Sequence, residues 1–184
     1  MQRRNFLLGS LGVLPAAKGL LRDNANQDDP GVVYVAAGED RFQTHREVLG
    51  GLQIDFKVST RDTNNGLFII EHTDHAKSGP PKHIHHEQDE WFYVLQGDYH
   101  LEIGDKKYVL APGDSVFAPR KVPHVWAHVG EGQGKLIIGF QPAGMMESFL
   151  TELAKLKGVP STDSMRTLFA EHGMTIVGPP MKVG

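Results

Sequence analysis

The stretch Lys82 to Gly97, KHIHHEQDEWFYVLQG, sets three histidines and three acidic residues directly ahead of an aromatic, β-prone run. In a strand, successive side chains point to opposite faces. His83 and His85 therefore share one face, and His86 points away from it. Glu90, five residues beyond His85, has the wrong parity for a straight strand. The polar segment from His86 to Asp89 reads as a turn or bulge that resets the phase and lets Glu90 rejoin the pair. Farther along, PRKVPH delivers His124 at the start of HVWAHV, whose alternate residues His124, Trp126 and His128 share a face. Three imidazoles and one carboxylate suit a borderline divalent transition metal: Fe, Mn, Ni, Co, Cu or Zn. Four protein ligands leave room for water or substrate, so a site of this kind is open and fit for catalysis.

The elements that must position these side chains are short strands. From Gly31 to Phe140 the chain offers VVYVAA, LQIDFKVST, LFIIEHT, WFYVLQ, YHLEI, KYVL, DSVFAP, HVWAHV and KLIIGF, separated by turn residues. That is the rhythm of a sandwich or barrel rather than of alternating strands and helices. Asn64-Asn65-Gly66, Gly97-Asp98 and Gly104-Asp105 are expected to make tight hairpins between antiparallel neighbours. After Pro142 the character changes. MMESFLTELAKLKG places Met145, Phe149, Leu150, Leu153 and Leu156 at helical spacing, and a second helix is expected from about Asp163 to His172, ending at Gly173. The Met and Phe residues of these helices read as core packed against the barrel.

The chain has 184 residues, 40% of them hydrophobic, a formal net charge of -3 and no cysteine. It is long enough for one domain with a real core. No basic block marks a nucleic-acid or anionic-membrane partner. Without cysteine, any metal is held by nitrogen and oxygen. At the N-terminus, MQRRNFLLGSLGVLPAAKGL carries two arginines and then an apolar run to about Ala17, too short to span a bilayer. Residues 1–17 read as an export signal, with cleavage after Ala17 and a periplasmic or otherwise exported product that keeps no membrane span. RRNFLL resembles the twin-arginine signal, although Gln2 and Leu8 depart from its usual form. Residues 18–30, ending in RDNANQDDP, read as a linker.

His83-x-His85, Glu90 and Gly97 together resemble the first motif of the cupins, and Gly113, Pro119 and His124 resemble the second. Lys121 stands where that motif often has glycine, and His128 where it often has asparagine. Gly79 lies closer to the first histidine than the family's opening glycine does. The resemblance implies an all-β, cupin-type jelly-roll barrel over 31–142 and a C-terminal helical extension over 143–184. It also implies a metal in the barrel held by His83, His85, Glu90 and His124. PPKHIHHEQDEWFYVLQGDYHLEIGDKKYVLAPGD, QPAGMMESFLTEL and EHGMTIVGPP look most similar to single-domain cupins related to quercetin 2,3-dioxygenase. That likeness implies an oxygenase acting on a small aromatic or enolic substrate with dioxygen.

In such a protein Glu90 serves as ligand throughout or, after swinging, as catalytic base. The same barrel also hosts isomerases, lyases and non-catalytic binders of small carbohydrates or aromatic compounds. His128 reads as packing, and His45, His72, His75, His86, His100 and His172 as structural. Phe92, Phe117, Trp126 and Phe140 read as barrel core. Exposed jelly-roll edges make a homodimer through strand contact a further expectation.

Overall fold

Alternation of large apolar side chains along the β-rich half is what closes the molecule into two facing sheets. The computed structural model describes residues 31–49, 51–156, 158 and 160–183. The expected export signal over 1–17 and linker over 18–30 lie outside the described residues.

The strands in chain order are β1 (Arg46–Val48), β2 (Leu52–Val58), β3 (Phe68–Asp74), β4 (Pro81–His85), β5 (Asp89–Gln96) and β6 (Tyr99–Ile103). They continue with β7 (Lys106–Leu110), β8 (Ser115–Ala118), β9 (His124–His128) and β10 (Gly134–Gln141). Helices α1 (Met146–Leu153) and α2 (Thr162–Glu171) follow, and β11 (Met174–Pro180) closes the order. One sheet runs β1-β2-β3-β10-β5-β8 and the other β11-β4-β9-β6-β7. All the ladders are antiparallel. This is the all-β jelly roll with C-terminal helices expected from the sequence.

Inward positions of both sheets form one core. Phe68, Ile70 and His72 on β3, Phe92 and Val94 on β5, and Leu136, Ile138 and Phe140 on β10 are all buried at alternate positions. Phe56 meets Phe68 edge-on at 4.9 Å between centroids, and Phe68 stacks on Phe140 at 5.9 Å. Burying each such ring contributes roughly 2–3 kcal/mol of transfer free energy.

Helix α1 buries Met146, Phe149, Leu150 and Leu153, a single stripe at i, i+3, i+4 and i+7. Met145 and Leu156, expected in that stripe, lie beyond its ends and are exposed. The helix is tied to the β2–β3 connection through Glu147. Its carboxylate accepts from Ser59 Oγ, Thr60 N and Thr60 Oγ1 at 2.7–3.0 Å. Helix α2 starts on Ser161, whose Oγ accepts from Ser164 N at 3.2 Å, a regular N-cap. It ends where His172 Nδ1 donates to the Leu168 carbonyl at 2.8 Å.

Four expectations are corrected. VVYVAA forms no strand, and Val32 and Tyr34 are exposed. Gly97-Asp98 makes no hairpin: β5 and β6 belong to different sheets, so this turn carries the chain across the barrel. Asn64-Asn65-Gly66 follows a 3₁₀ turn over Thr60–Thr63 inside a longer β2–β3 connection. Phe117 sits on the outer face of β8 at 56% exposure rather than in the core. Gly104-Asp105, by contrast, is the two-residue turn between paired β6 and β7, with Gly104 at φ 57°. The C-terminal extension also contributes a strand, β11, which pairs with β4. Among the described residues no helix is long and apolar enough to cross a membrane.

Candidate metal centre

His83 and His85 lie on β4, two residues apart and facing inward as parity requires. His124 opens β9 and pairs directly with His83 across the ladder. Glu90 enters from the opposite sheet. The bend from His86 to Gln88 breaks the run between β4 and β5 and moves the chain from one sheet to the other, which resets the phase. His83, His85, Glu90 and His124 are all buried, and one ligand atom from each lies within 4.8 Å of the others. His86 points outward, where its Nε2 meets Thr175 Oγ1 at 2.9 Å.

Neighbouring carbonyls set two of the rings. His83 Nδ1–H donates to Pro81 O at 2.8 Å, and His124 Nδ1–H donates to Val122 O at 3.1 Å. Each bond fixes ring orientation and turns Nε2 toward the cluster, the usual support for a metal-binding imidazole. His124 Nε2 lies 2.8 Å from Glu90 Oε2. His85 Nε2 is 3.2 Å from the same oxygen, without hydrogen-bond alignment. Both ring nitrogens of His85 are buried with no hydrogen-bond partner among the described residues. A buried imidazole without partners is costly unless something else takes its lone pair. The donor set therefore fits a divalent transition metal.

The local electrostatics favour a neutral His83 and an ionised Glu90. Burial, reinforced by the neighbouring His124 and His85, pushes His83 down to about 3. Burial opposes ionisation of Glu90, but the His124 and His85 imidazoles outweigh it and hold the carboxyl below its ordinary range. Burial would likewise lower His124, yet its contact with Glu90 raises it.

The connection that presents His124 carries another mark of the site. Lys121 adopts φ 67°, the left-handed region, and its N–H donates to the His85 carbonyl at 2.8 Å. Such a backbone suits glycine and costs a side-chain-bearing residue roughly 1–2 kcal/mol. The chain tolerates lysine where the motif it resembles often has glycine.

These four side chains fall inside residues 71–140, which match the Cupin_2 family, described as the cupin domain. The match covers the barrel strands that carry the cluster, and the chain resembles a cupin domain there. A curated relative, an oxidoreductase of Arthrobotrys oligospora, is 37% identical over 96 aligned residues, covering 45% of this chain and 38% of the relative. The chain thus spans well under half of that protein's length. Among solved structures, KdgF from Halomonas sp. is similar at 26% identity, covering 54% of this chain and 86% of that one with a TM-score of 0.48. An RmlC-like cupin from Shewanella frigidimarina is similar at 28% identity, covering 54% and 84%, with a TM-score of 0.47.

Three members of the cluster, His83, His85 and Glu90, line a cavity of about 70 Å³. Ile70, Trp126, Ile138 and Phe140 wall it on the barrel side, and Phe149 and Phe169 of the two helices cap it. The ring of Phe169 stands edge-on to His83 at 5.5 Å. Trp126 and Phe140, expected as core, thus also wall the cavity, while Phe92 is core alone. His128 is fully buried beside Tyr99, as expected for packing. His45 pairs with Asp55 at 2.7 Å, and His75 and His100 are exposed. His72, expected to be structural, lines the cavity. The sequence signal for it was available: Phe68, Ile70 and His72 share one parity, so His72 had to face the interior.

Proposed function

We propose that this protein is a metal-dependent cupin oxygenase acting on a small enolic or single-ring substrate with dioxygen. The observation that carries the reading is a buried three-histidine, one-glutamate cluster, three of whose members line a largely apolar cavity. A bound transition metal supplies a Lewis-acid position for an anionic substrate oxygen and a position beside it for dioxygen. His83, His85 and His124 hold it, with their ring orientations fixed by Pro81 O and Val122 O for two of the three. Glu90 is the fourth ligand and the candidate base for the substrate hydroxyl. Phe140, Phe149 and Phe169 exclude water from the reacting end. The name carried by the Arthrobotrys relative supports oxidoreductase chemistry over isomerase or lyase chemistry.

Cavity size and lining sharpen the substrate class. Pockets that enclose drug-sized ligands span roughly 300–1,000 Å³, so a flavonol enters only if α1 and α2 move. A carbohydrate would bring several hydroxyls into a lining with few partners for them, at a cost of about 1–3 kcal/mol for each one unpaired. A small enol or catechol suits the walls better. The expected result is that purified protein retains a redox-active metal on elemental analysis and consumes oxygen with small enols or catechols in an oxygen electrode. Turnover of the same compounds without oxygen consumption would overturn the oxygenase reading in favour of an isomerase or lyase. Tight binding without turnover would favour a binding protein.

Export to the periplasm remains part of the proposal and rests on RRNFLL. N-terminal sequencing of the envelope fraction is expected to find a mature chain beginning near Lys18. An intact Met1 form confined to the cytosol would sink it.

A further inference from the structure

Apart from His83, His85 and Glu90, only two side chains bring polar atoms to the cavity lining among the described residues: His72 and the indole of Trp126. Trp126 stands two residues along β9 from His124, roughly 7 Å at strand rise. His72 packs edge-on against that indole, with 4.7 Å between ring centroids. The imidazole therefore lies one side-chain layer beyond the ligand cluster, in the lining of the same cavity.

Its environment is built in depth. His72 and Asp74 sit two apart on β3, on the same inward face, and both are buried. His72 Nε2 is 3.1 Å from Asp74 Oδ1. The other carboxylate oxygen accepts from Tyr99 O–H at 2.7 Å, and Ser78 Oγ approaches Oδ1 at 3.5 Å. An ionised carboxylate only accepts, so Nε2 carries the ring proton. That tautomer leaves Nδ1 with a free lone pair, and Nδ1 makes no hydrogen bond to any described residue. A buried carboxylate and a buried tyrosine hold one histidine in one tautomer, in a cavity that is apolar apart from the Trp126 indole and the ligand-type residues.

We propose that His72 is the distal anchor of the substrate: its Nδ1 accepts a hydrogen bond from a hydroxyl or N–H roughly one ring-length from the group that meets the ligand cluster. Asp74 is the positioning residue that fixes the tautomer, and Tyr99 holds Asp74. The ligand class is then a small planar molecule with an anionic oxygen at one end and a donor at the other. The inference rests on the cavity being the substrate site, and it does not require that the reaction consume oxygen.

The test is a binding ratio in zinc-loaded protein, which performs no redox chemistry. The probes are 4-hydroxybenzoate and benzoate, which differ only in the distal donor, and the measurement is calorimetric titration. The native protein is expected to prefer the hydroxylated probe by about tenfold, the worth of one buried hydrogen bond. His72→Phe should abolish the preference while leaving benzoate affinity and zinc content near native. Asp74→Asn should shrink the ratio without changing benzoate binding, because an amide can donate to Nε2 and release the tautomer. Asp74→Glu should restore part of it, a rescue that loss of packing alone would not give. Equal affinity of the native protein for the two probes, including absence of binding by both, overturns the proposal. So does an unchanged ratio in folded His72→Phe protein. A preserved ratio in a protein that consumes no oxygen with any enol would leave the anchor standing and remove the oxygenase.

Discussion

His85→Ala is expected to empty the metal site, and His86→Ala to leave it loaded. The two residues are adjacent in the chain, so composition and local charge change almost equally. What separates them is direction. His85 is 1% exposed with neither ring nitrogen hydrogen-bonded, inside the four-residue cluster. His86 lies on the outer side of the barrel, bonded to Thr175 Oγ1. Losing an outer-shell partner of a metal site costs about 10–100-fold in affinity. Loss of a ligand itself should exceed the upper end of that range, for His83 and His124 as for His85. Metal content by elemental analysis, with a chromogenic chelator competing for the ion, reads the difference directly. Glu90→Gln keeps volume and one oxygen but loses charge, so turnover should fall more than metal content. If His86→Ala lost its metal while His85→Ala kept it, the strand phase would be off by one residue, and the ligand set would fail with it.

That expected result depends on the alternation of side chains along a strand, which the sequence itself carries. Period-two alternation selects His83 and His85 over His86, and HVWAHV places His124 at a strand start. Both follow from steric geometry that holds in every strand, which is why the convergence of the three histidines was legible. Features set by long-range partners were not. β11 begins with β-prone Met174–Val177 but ends in Gly178, Pro179 and Pro180, and it becomes a strand because β4 offers it a free edge. VVYVAA has every local mark of a strand but no partner in either sheet. Gly97-Asp98 has hairpin chemistry, yet its flanking strands pair with β10 and β9 instead of each other. Phe117 faces outward because β8 is an edge strand whose alternation is set by Ala118, the residue buried opposite Glu90. The role of His72 was hidden for a similar reason. Parity turned it inward, but only the fold shows that Asp74 bonds to it, that Tyr99 bonds to Asp74, and that it lines the cavity.

Gly79 lies just before β4, and its reason for being glycine is spatial. A Cβ built on it would fall 1.9 Å from the Trp126 carbonyl oxygen, 2.9 Å from the Trp126 carbonyl carbon and 3.0 Å from Ala127 Cα. All three atoms are backbone of β9, the strand between β4 and β6 in its sheet, so none can swing aside as a flexible side chain would. The approach is held in place next door, where His128 N donates to Ser78 O at 2.9 Å. Gly79→Ala is therefore expected to destabilise the fold by about 3 kcal/mol, the upper end of overpacking costs. It should also lower metal occupancy, because β9 carries His124 and β4 carries His83 and His85. Gly139→Ala is the matched control. Its added methyl would meet Trp91 at 3.7 Å, an ordinary contact, in a strand where alanine costs less backbone entropy than glycine. Urea unfolding followed by tryptophan fluorescence measures both, and the second variant should lie within about 1 kcal/mol of the native protein. A Gly79→Ala protein as stable as Gly139→Ala, with its metal retained, would mean that the β4 approach and β9 can separate without loss. The ligand geometry would then owe its rigidity to the β4–β9 ladder alone, where His83 and His124 face each other.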